Sequence, residues 1–289
     1  MAFHKAIRRR GCFLLVVTFS LTTLLAQTVP PAKRAAPTKK TTPAAAPTLQ
    51  LDPKALEILK AASDKLSNAE TLSFTAVELF EQLSRQGAPL AYTNKYEVTM
   101  QRPDKLRVIR PADAQAADFY VDGTSMMAYI PAQNLLAKTD APPTIEGALE
   151  KAYKTADLYL PFTDFIVPNP YGDMEKGLRH AYYIGQSNVV GGTTTDQVAF
   201  AGNGIFAQVW IGADDKLVRM IRAVYLDDPN HLRHELVFSN WQLDQSVPAD
   251  TFVLANAASA KPIPFARPKQ LSTPTDKPPA KSKPAKAQQ

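Results

Sequence analysis

The residues able to do chemistry in this chain are few, and their spacing argues against a conventional catalytic or metal centre. Beyond residue 26 the histidines are His180, His231 and His234. His231 and His234 precede Glu235 in a pattern that superficially resembles a zinc motif, but such motifs need a helix that sets both imidazoles on one face. Here the pair opens a strand-like run, RHELVFSNWQL, in which an odd separation sends neighbours to opposite faces. They read as edge or turn histidines, and no metal is expected.

Carboxylates are plentiful, as at Asp214-Asp215 and Asp227-Asp228, yet these pairs fall in turn-like segments where solvated side chains are the ordinary outcome. The nearest approach to a nucleophile elbow, Gly123-Thr124-Ser125-Met126-Met127, lacks the final glycine. Neither a phosphate-binding loop nor a dinucleotide fingerprint occurs. The one cysteine, Cys12, lies in the N-terminal apolar segment, so beyond it there is no thiolate for catalysis and no disulfide. The expectation is a protein with no catalytic residue and no cofactor.

The elements that would position a site begin at Asp52-Pro53, a capping residue followed by a proline that loses nothing at the first helical position. Leu51 and Leu56 have hydrophobic-staple spacing, and the helix is expected to run to about Ala69 with Leu56, Leu59, Ala62 and Leu66 buried. After Glu70 come short strand-like runs separated by turn signals such as Pro103-Asp104, Asp122-Gly123, Gly191-Gly192 and Asn203-Gly204. Tyr96, Val98 and Met100 alternate with Lys95, Glu97, Thr99 and Gln101, the mark of a sheet covered on one face. A helical pattern from Thr144 to about Thr155 and an apolar, proline-interrupted stretch, LYLPFTDFI, interrupt the series. The pattern predicts an α+β fold: helix, five or six strands, a helical insertion, then five or six more strands in a large antiparallel sheet.

Charge separates domain from tails. The whole chain is +6, but Asp52 to Ala255 carries 18 basic against 26 acidic residues, while Lys261 to Gln289 is +6. An acidic folded part removes the case for nucleic-acid binding, which needs clustered Lys and Arg on the fold. The start has the three zones of an export signal: Lys5 and Arg8 to Arg10, an apolar stretch from Cys12 to Leu25, and small Ala26. The expected organisation is a signal peptide over 1–26, a Pro/Ala/Thr/Lys linker over 27–50, a domain over 51–256 and a basic, proline-rich tail over 257–289. Such tails cannot repay their ordering entropy by burial.

The segments DPKALEILKAASDKLSNAETLSFTA, RPDKLRV, FYVDG, TIEGALEKAY and LPFTDFI, followed by a YIGQSNVVGG hairpin, resemble a family of predicted periplasmic proteins known as domain of unknown function 2092. The resemblance runs from about Leu51 to Phe252. Members are similar in fold to the periplasmic lipoprotein carriers and lipoprotein receptors of Gram-negative bacteria. That implies an incomplete antiparallel β-barrel whose concave face is covered by the N-terminal helix and the helical insertion, around a cavity for acyl chains. Family members often carry a Cys-His-like pair after the Gly-Gly turn; this chain has Thr195, Asp196 and Gln197, so no metal or redox role transfers.

The resemblance implies a non-enzymatic, monomeric periplasmic protein that shelters a lipid or the acyl chains of a lipoprotein. Side chains suited to lining such a cavity are Phe74, Tyr96, Val98, Met100, Leu106, Val108, Phe119, Phe162, Phe165, Val198, Phe200, Val209, Met220 and Phe238. Each could equally fill an ordinary core. The other functions left open are an envelope module whose concavity is filled by its own helices, and a hydrolase without a recognisable motif. A second expected partner is an anionic envelope surface, met by the basic C-terminal tail through extended, screened contacts.

Overall fold

The computed structural model describes residues 50–111 and 116–267; the expected signal peptide, the expected linker up to residue 49 and the expected tail beyond 267 lie outside the described residues. A two-residue strand, β1 (Gln50–Leu51), leads into helix α1 (Pro53–Ser67). Asp52 caps it by accepting from the Lys54 N–H at 2.9 Å, as its side-chain chemistry favours. Ala55, Ile58, Leu59, Ala62, Ser63 and Leu66 form the buried face; Leu56 is half-buried. At the other end the Arg102 guanidinium donates to the carbonyl oxygen of Leu66, one of those a helix leaves unpaired in its last turn, and to that of Ala69 just beyond the cap.

Six strands follow as a meander: β2 (Thr71–Leu83), β3 (Pro89–Gln101), β4 (Lys105–Arg110), β5 (Ala117–Asp122), β6 (Ser125–Ile130) and β7 (Leu135–Asp140). The insertion comprises α2 (Ile145–Ala156), α3 (Thr163–Ile166) and α4 (Pro170–Glu175). Thr144 caps α2 through the Gly147 N–H at 3.1 Å, and Asp157 closes it in the left-handed conformation. A second meander of five strands completes the sheet: β8 (Leu178–Ser187), β9 (Thr195–Gly202), β10 (Ile205–Gly212), β11 (Val218–Tyr225) and β12 (Arg233–Leu243). The β9–β10 hairpin turns on Asn203 and Gly204 with φ of 52° and 79°, the two positive values a tight two-residue hairpin requires. A last short strand, β13 (Lys261–Ile263), lies near the end of the described chain.

β12 pairs antiparallel with β2, which joins the two meanders into one large, curled and unclosed sheet. Its order is β1-β8-β9-β10-β11-β12-β2-β3-β4-β5-β6-β7-β13, with parallel pairing only at the two outermost positions. One face, called inner here, packs with α1, α2 and α3 into a single apolar cluster. The sheet and its helical cover are the α+β arrangement that the sequence pattern predicts.

The chain does not leave the domain at 257. Ala257–Ser259 forms a short 3-10 turn, and β13 pairs with β7. The Asn134 side-chain amide donates to the Ser259 carbonyl at 3.0 Å, and Phe265 packs against the main cluster. A smaller cluster of Tyr120, Met127, Tyr129, Leu136 and Leu254 holds this segment on the outer face.

Candidate functional site

Antiparallel partners share a face of the sheet, so the pairing register assigns every side chain. One inner row runs Phe74, Val98, Val108, Phe119 and Ala128 across β2 to β6; the next runs Leu72, Met100, Leu106, Val121 and Met126. Another crosses the second meander as Val198, Val209, Ile221, Leu236, Glu78 and Asn94. Thirteen of the fourteen predicted lining side chains fall in or against this inner cluster, with Phe165 and Phe200 half-buried and the rest buried.

Their space is occupied by the protein's own rings. Phe162, with no exposed surface, meets Phe74 and Tyr96 edge-on at 5.4 and 5.5 Å between centroids. Phe165 meets Phe238 at 5.0 Å, and Trp241 lies 4.5 Å from Phe74 and stacks on Phe238 at 5.6 Å. Two surface concavities, of about 410 and 580 Å³, lie elsewhere and involve none of the fourteen.

Met220 is the exception, and its assignment to the cavity is corrected. It pairs with Trp210 on one side and with outward-facing Val237 on the other, so it belongs to the outer face. The cause is a bulge between Trp210 and Ile211, which leaves Val218 facing inward and Met220 outward despite their even spacing.

At one end of the inner face the apolar surface gives way to a polar cluster. Glu78 occupies an inner position of β2, in phase with Leu72, Phe74 and Ala76, and its side chain is 8% exposed. One carboxylate oxygen accepts from the Asn94 amide at 2.8 Å and the Tyr96 hydroxyl at 2.9 Å; the other lies 2.7 Å from His234 Nε2. Burial pushes the Glu78 carboxyl up, but the hydrogen bonds from His234, Asn94 and Tyr96 outweigh it and hold the group below the usual carboxylate range. A buried carboxylate is tolerable only when paired in this way.

Burial drives three phenols above their ordinary range: Tyr96, which donates to Glu78 and whose shift the Glu78 charge increases, and Tyr159 and Tyr225, where Asp164 and Glu78 both add. All three remain protonated at neutral pH. Beyond the cluster the β2–β3 hairpin continues the inner face as Phe80, stacked on Tyr92 at 5.6 Å, with Tyr92 and Leu90 46% and 47% exposed.

His234 is therefore not a turn residue but the half-buried partner of Glu78, whereas His231 does sit in a turn, with a φ of 49°. The turn carboxylates behave as local braces: Asp228 accepts from the Asn230 and Leu232 N–H groups, and Asp215 from the Leu217 N–H. Among the described residues, no group of three or more His, Cys, Asp or Glu side chains is arranged to hold a metal. Among the described residues, too, no helix is long and apolar enough to cross a membrane.

No curated protein sequence matches the chain. Solved structures of similar fold include an uncharacterized conserved protein from Thermus thermophilus, 11% identical with a TM-score of 0.42, covering 74% of this chain and 99% of that one. The Pseudomonas aeruginosa MucA/MucB complex is 13% identical with a TM-score of 0.40, covering 72% of this chain and 62% of that one. A LolA superfamily protein from Nitrosomonas europaea is 10% identical with a TM-score of 0.31, covering 69% and 97%. At such values these are likenesses and carry no functional argument. The family model for predicted periplasmic proteins, DUF2092, matches residues 55–266, nearly the whole described domain, and the chain belongs to that family of periplasmic proteins.

Proposed function

We propose that this is a non-enzymatic periplasmic binding protein for a hydrophobic ligand, a lipid or the acyl chains of a lipoprotein, and that the helical insertion is the movable cover of its site. The observation that carries this reading is the continuity of the inner face. The surface that is dry beneath α3 runs out past it as Phe80, Tyr92 and Leu90, where an apolar strip meets solvent. An alkyl chain laid on that strip gains about 0.8 kcal/mol per buried CH₂. To go deeper it must displace Phe162, the residue before the four-residue helix α3, and Phe165 within it, a segment flanked by Pro161 and Pro168.

A second reading, a module whose inner face is filled permanently by its own helices, is favoured by the complete burial of Phe162 between Phe74 and Tyr96. Native mass spectrometry of protein prepared from the periplasm, with titration of a fluorescent acyl probe, separates the two. A co-purifying lipid mass is expected, together with stronger probe uptake by Phe162→Ala than by the wild type. Absence of both a retained lipid and saturable probe binding would leave the self-filled module. Turnover of an ester probe would overturn the non-enzymatic reading.

A further inference from the structure

Near the start of β8 the ladder carries an extra residue. Leu178 lies opposite Gly202 of β9 and His180 opposite Ala201, so Arg179 has no partner across the ladder. Successive residues of a regular strand point to opposite faces, yet Arg179 and His180 both line the concavity of about 410 Å³. A bulge re-aims a side chain in this way.

Much of the remaining wall is backbone, because the β9–β10 turn and the chain entering β8 approach closely. A Cβ on Gly202 would overlap the Gly177 carbonyl, and one on Gly177 would overlap the Asn203 side-chain amide, so the two glycines let that amide sit at the cavity. Leu226, 48% exposed, adds an apolar side. The cavity shares no lining residue with the buried inner cluster.

The side chains of Arg179, His180 and Asn203 make no hydrogen bond or ion pair among the described residues. No fully buried side-chain polar atom there lacks a partner, so theirs stay open to solvent. A guanidinium can only donate, the asparagine amide carries two N–H donors, and an imidazole carries at least one. One carboxylate, that of Asp227, lies beside Gly204 and is already engaged. Convergent donors without acceptors, in a domain of 18 basic against 26 acidic residues, select an anion. The guanidinium fork matches the paired oxygens of a phosphate or carboxylate, and the volume suits an organic molecule rather than a bare ion.

We infer that this cavity binds the oxyanion, a phosphate or carboxylate, of a small organic molecule. Arg179 supplies the fork, His180 and Asn203 flank it as further donors, and Leu226 meets the carbon skeleton. The site is separate from the inner face and independent of the hydrophobic-ligand reading.

Calorimetric titration of the full exported chain with glycerol 3-phosphate, glycerate, glycerol and ethanolamine tests it. At least one of the two anions is expected to bind saturably, and glycerol and ethanolamine are not. Arg179→Ala, and Asn203→Asp, which tolerates the left-handed turn position but adds a repelling charge, are expected to lower that affinity about tenfold or more. Both variants, checked as folded by circular dichroism, should take up an acyl probe as the wild type does. Lys138→Ala, exposed on β7 near the opposite margin of the sheet, should leave anion binding unchanged. Dihexanoylglycerol 3-phosphate, titrated beside glycerol 3-phosphate, distinguishes the source: tighter binding that Arg179→Ala abolishes assigns the phosphate to a lipid head group, and equal binding to a free solute. Absence of saturable binding by either anion, or an equal loss in Lys138→Ala, would overturn the inference and leave acyl-probe uptake, and the reading that rests on it, as they were.

Discussion

Replacing Glu78 by leucine tests whether the polar cluster is an ionised, mutually satisfied unit. The side chain is 8% exposed, so little of its interaction is screened by water. It accepts from Asn94, Tyr96 and His234. Hydrogen bonds to a charged group contribute about 1.5–3 kcal/mol each, and a leucine gains about 1.5–3 kcal/mol by burial in return. Breaking one side of a buried pair costs about 3–5 kcal/mol, because the remaining donors stay buried without an acceptor.

The loss should therefore be about 3–5 kcal/mol at pH 7, read by urea unfolding through Trp241, whose indole stacks on Phe238 in the folded state. In Glu78→Leu/His234→Phe, which empties both sides, the loss should fall well short of the sum of the single losses, with a coupling of about 1.5 kcal/mol or more. The folded Glu78 carboxyl lies below its usual range. Its stabilisation is thus complete above the unfolded value of about 4.3 and is lost as pH falls through the lower folded value. The gap between wild type and Glu78→Leu should be flat above about pH 6 and narrow in acid. A loss below about 1 kcal/mol, or a gap unchanged down to about pH 2, would refute the reasoning.

Phe162→Ala should cost about 3–5 kcal/mol in the same urea assay, since it removes a fully buried ring from between Phe74 and Tyr96; a negligible loss would mean the insertion opens freely. Met220→Ser should cost less than about 1 kcal/mol, whereas Met100→Ala on the inner face should cost about 2–5 kcal/mol, and similar values would contradict the assigned faces. Intact-mass measurement of exported protein should give an N-terminus near Gln27, and a species retaining Met1 would argue against cleavage. We propose that the basic tail tethers the protein to anionic envelope material. A version ending at Arg267 keeps β13 yet loses five lysines, so it should sediment less with anionic vesicles at low salt than the full chain does; equal sedimentation would exclude the tether.

Much of the inner face is legible in the sequence because alternation is a local signal: Tyr96, Val98 and Met100 declare a buried face without reference to their partners. Met220 misleads for the converse reason. The run KLVRMIRAVYL is apolar at both parities, and the bulge that sets its phase belongs to its pairing with β10. Glu78 leaves a readable trace, a carboxylate in the apolar phase of Leu72, Phe74 and Ala76. Its meaning is not readable, since His234 comes from the far end of the chain, 156 positions away. LYLPFTDFI announces a cover but not which of its rings wedges between Phe74 and Tyr96, because that depends on the depth left by residues from separate strands.

The outermost strands have a mechanical consequence. β1 and β13, two and three residues long, border the sheet on opposite sides, and the chain's two extensions depart from them. A load applied through the N-terminal extension reaches the fold first at the β1 ladder, and one applied through the C-terminal extension meets the Phe265 contact and then β13; in each short parallel ladder few hydrogen bonds resist. Peeling β13 uncovers β7, and peeling β1 uncovers β8. A bared strand edge offers a row of unpaired N–H and C=O groups to any extended segment nearby. Strain on an extension would thus be absorbed as a change at the margin, while the longer antiparallel pairing of β12 with β2 at the centre stays intact.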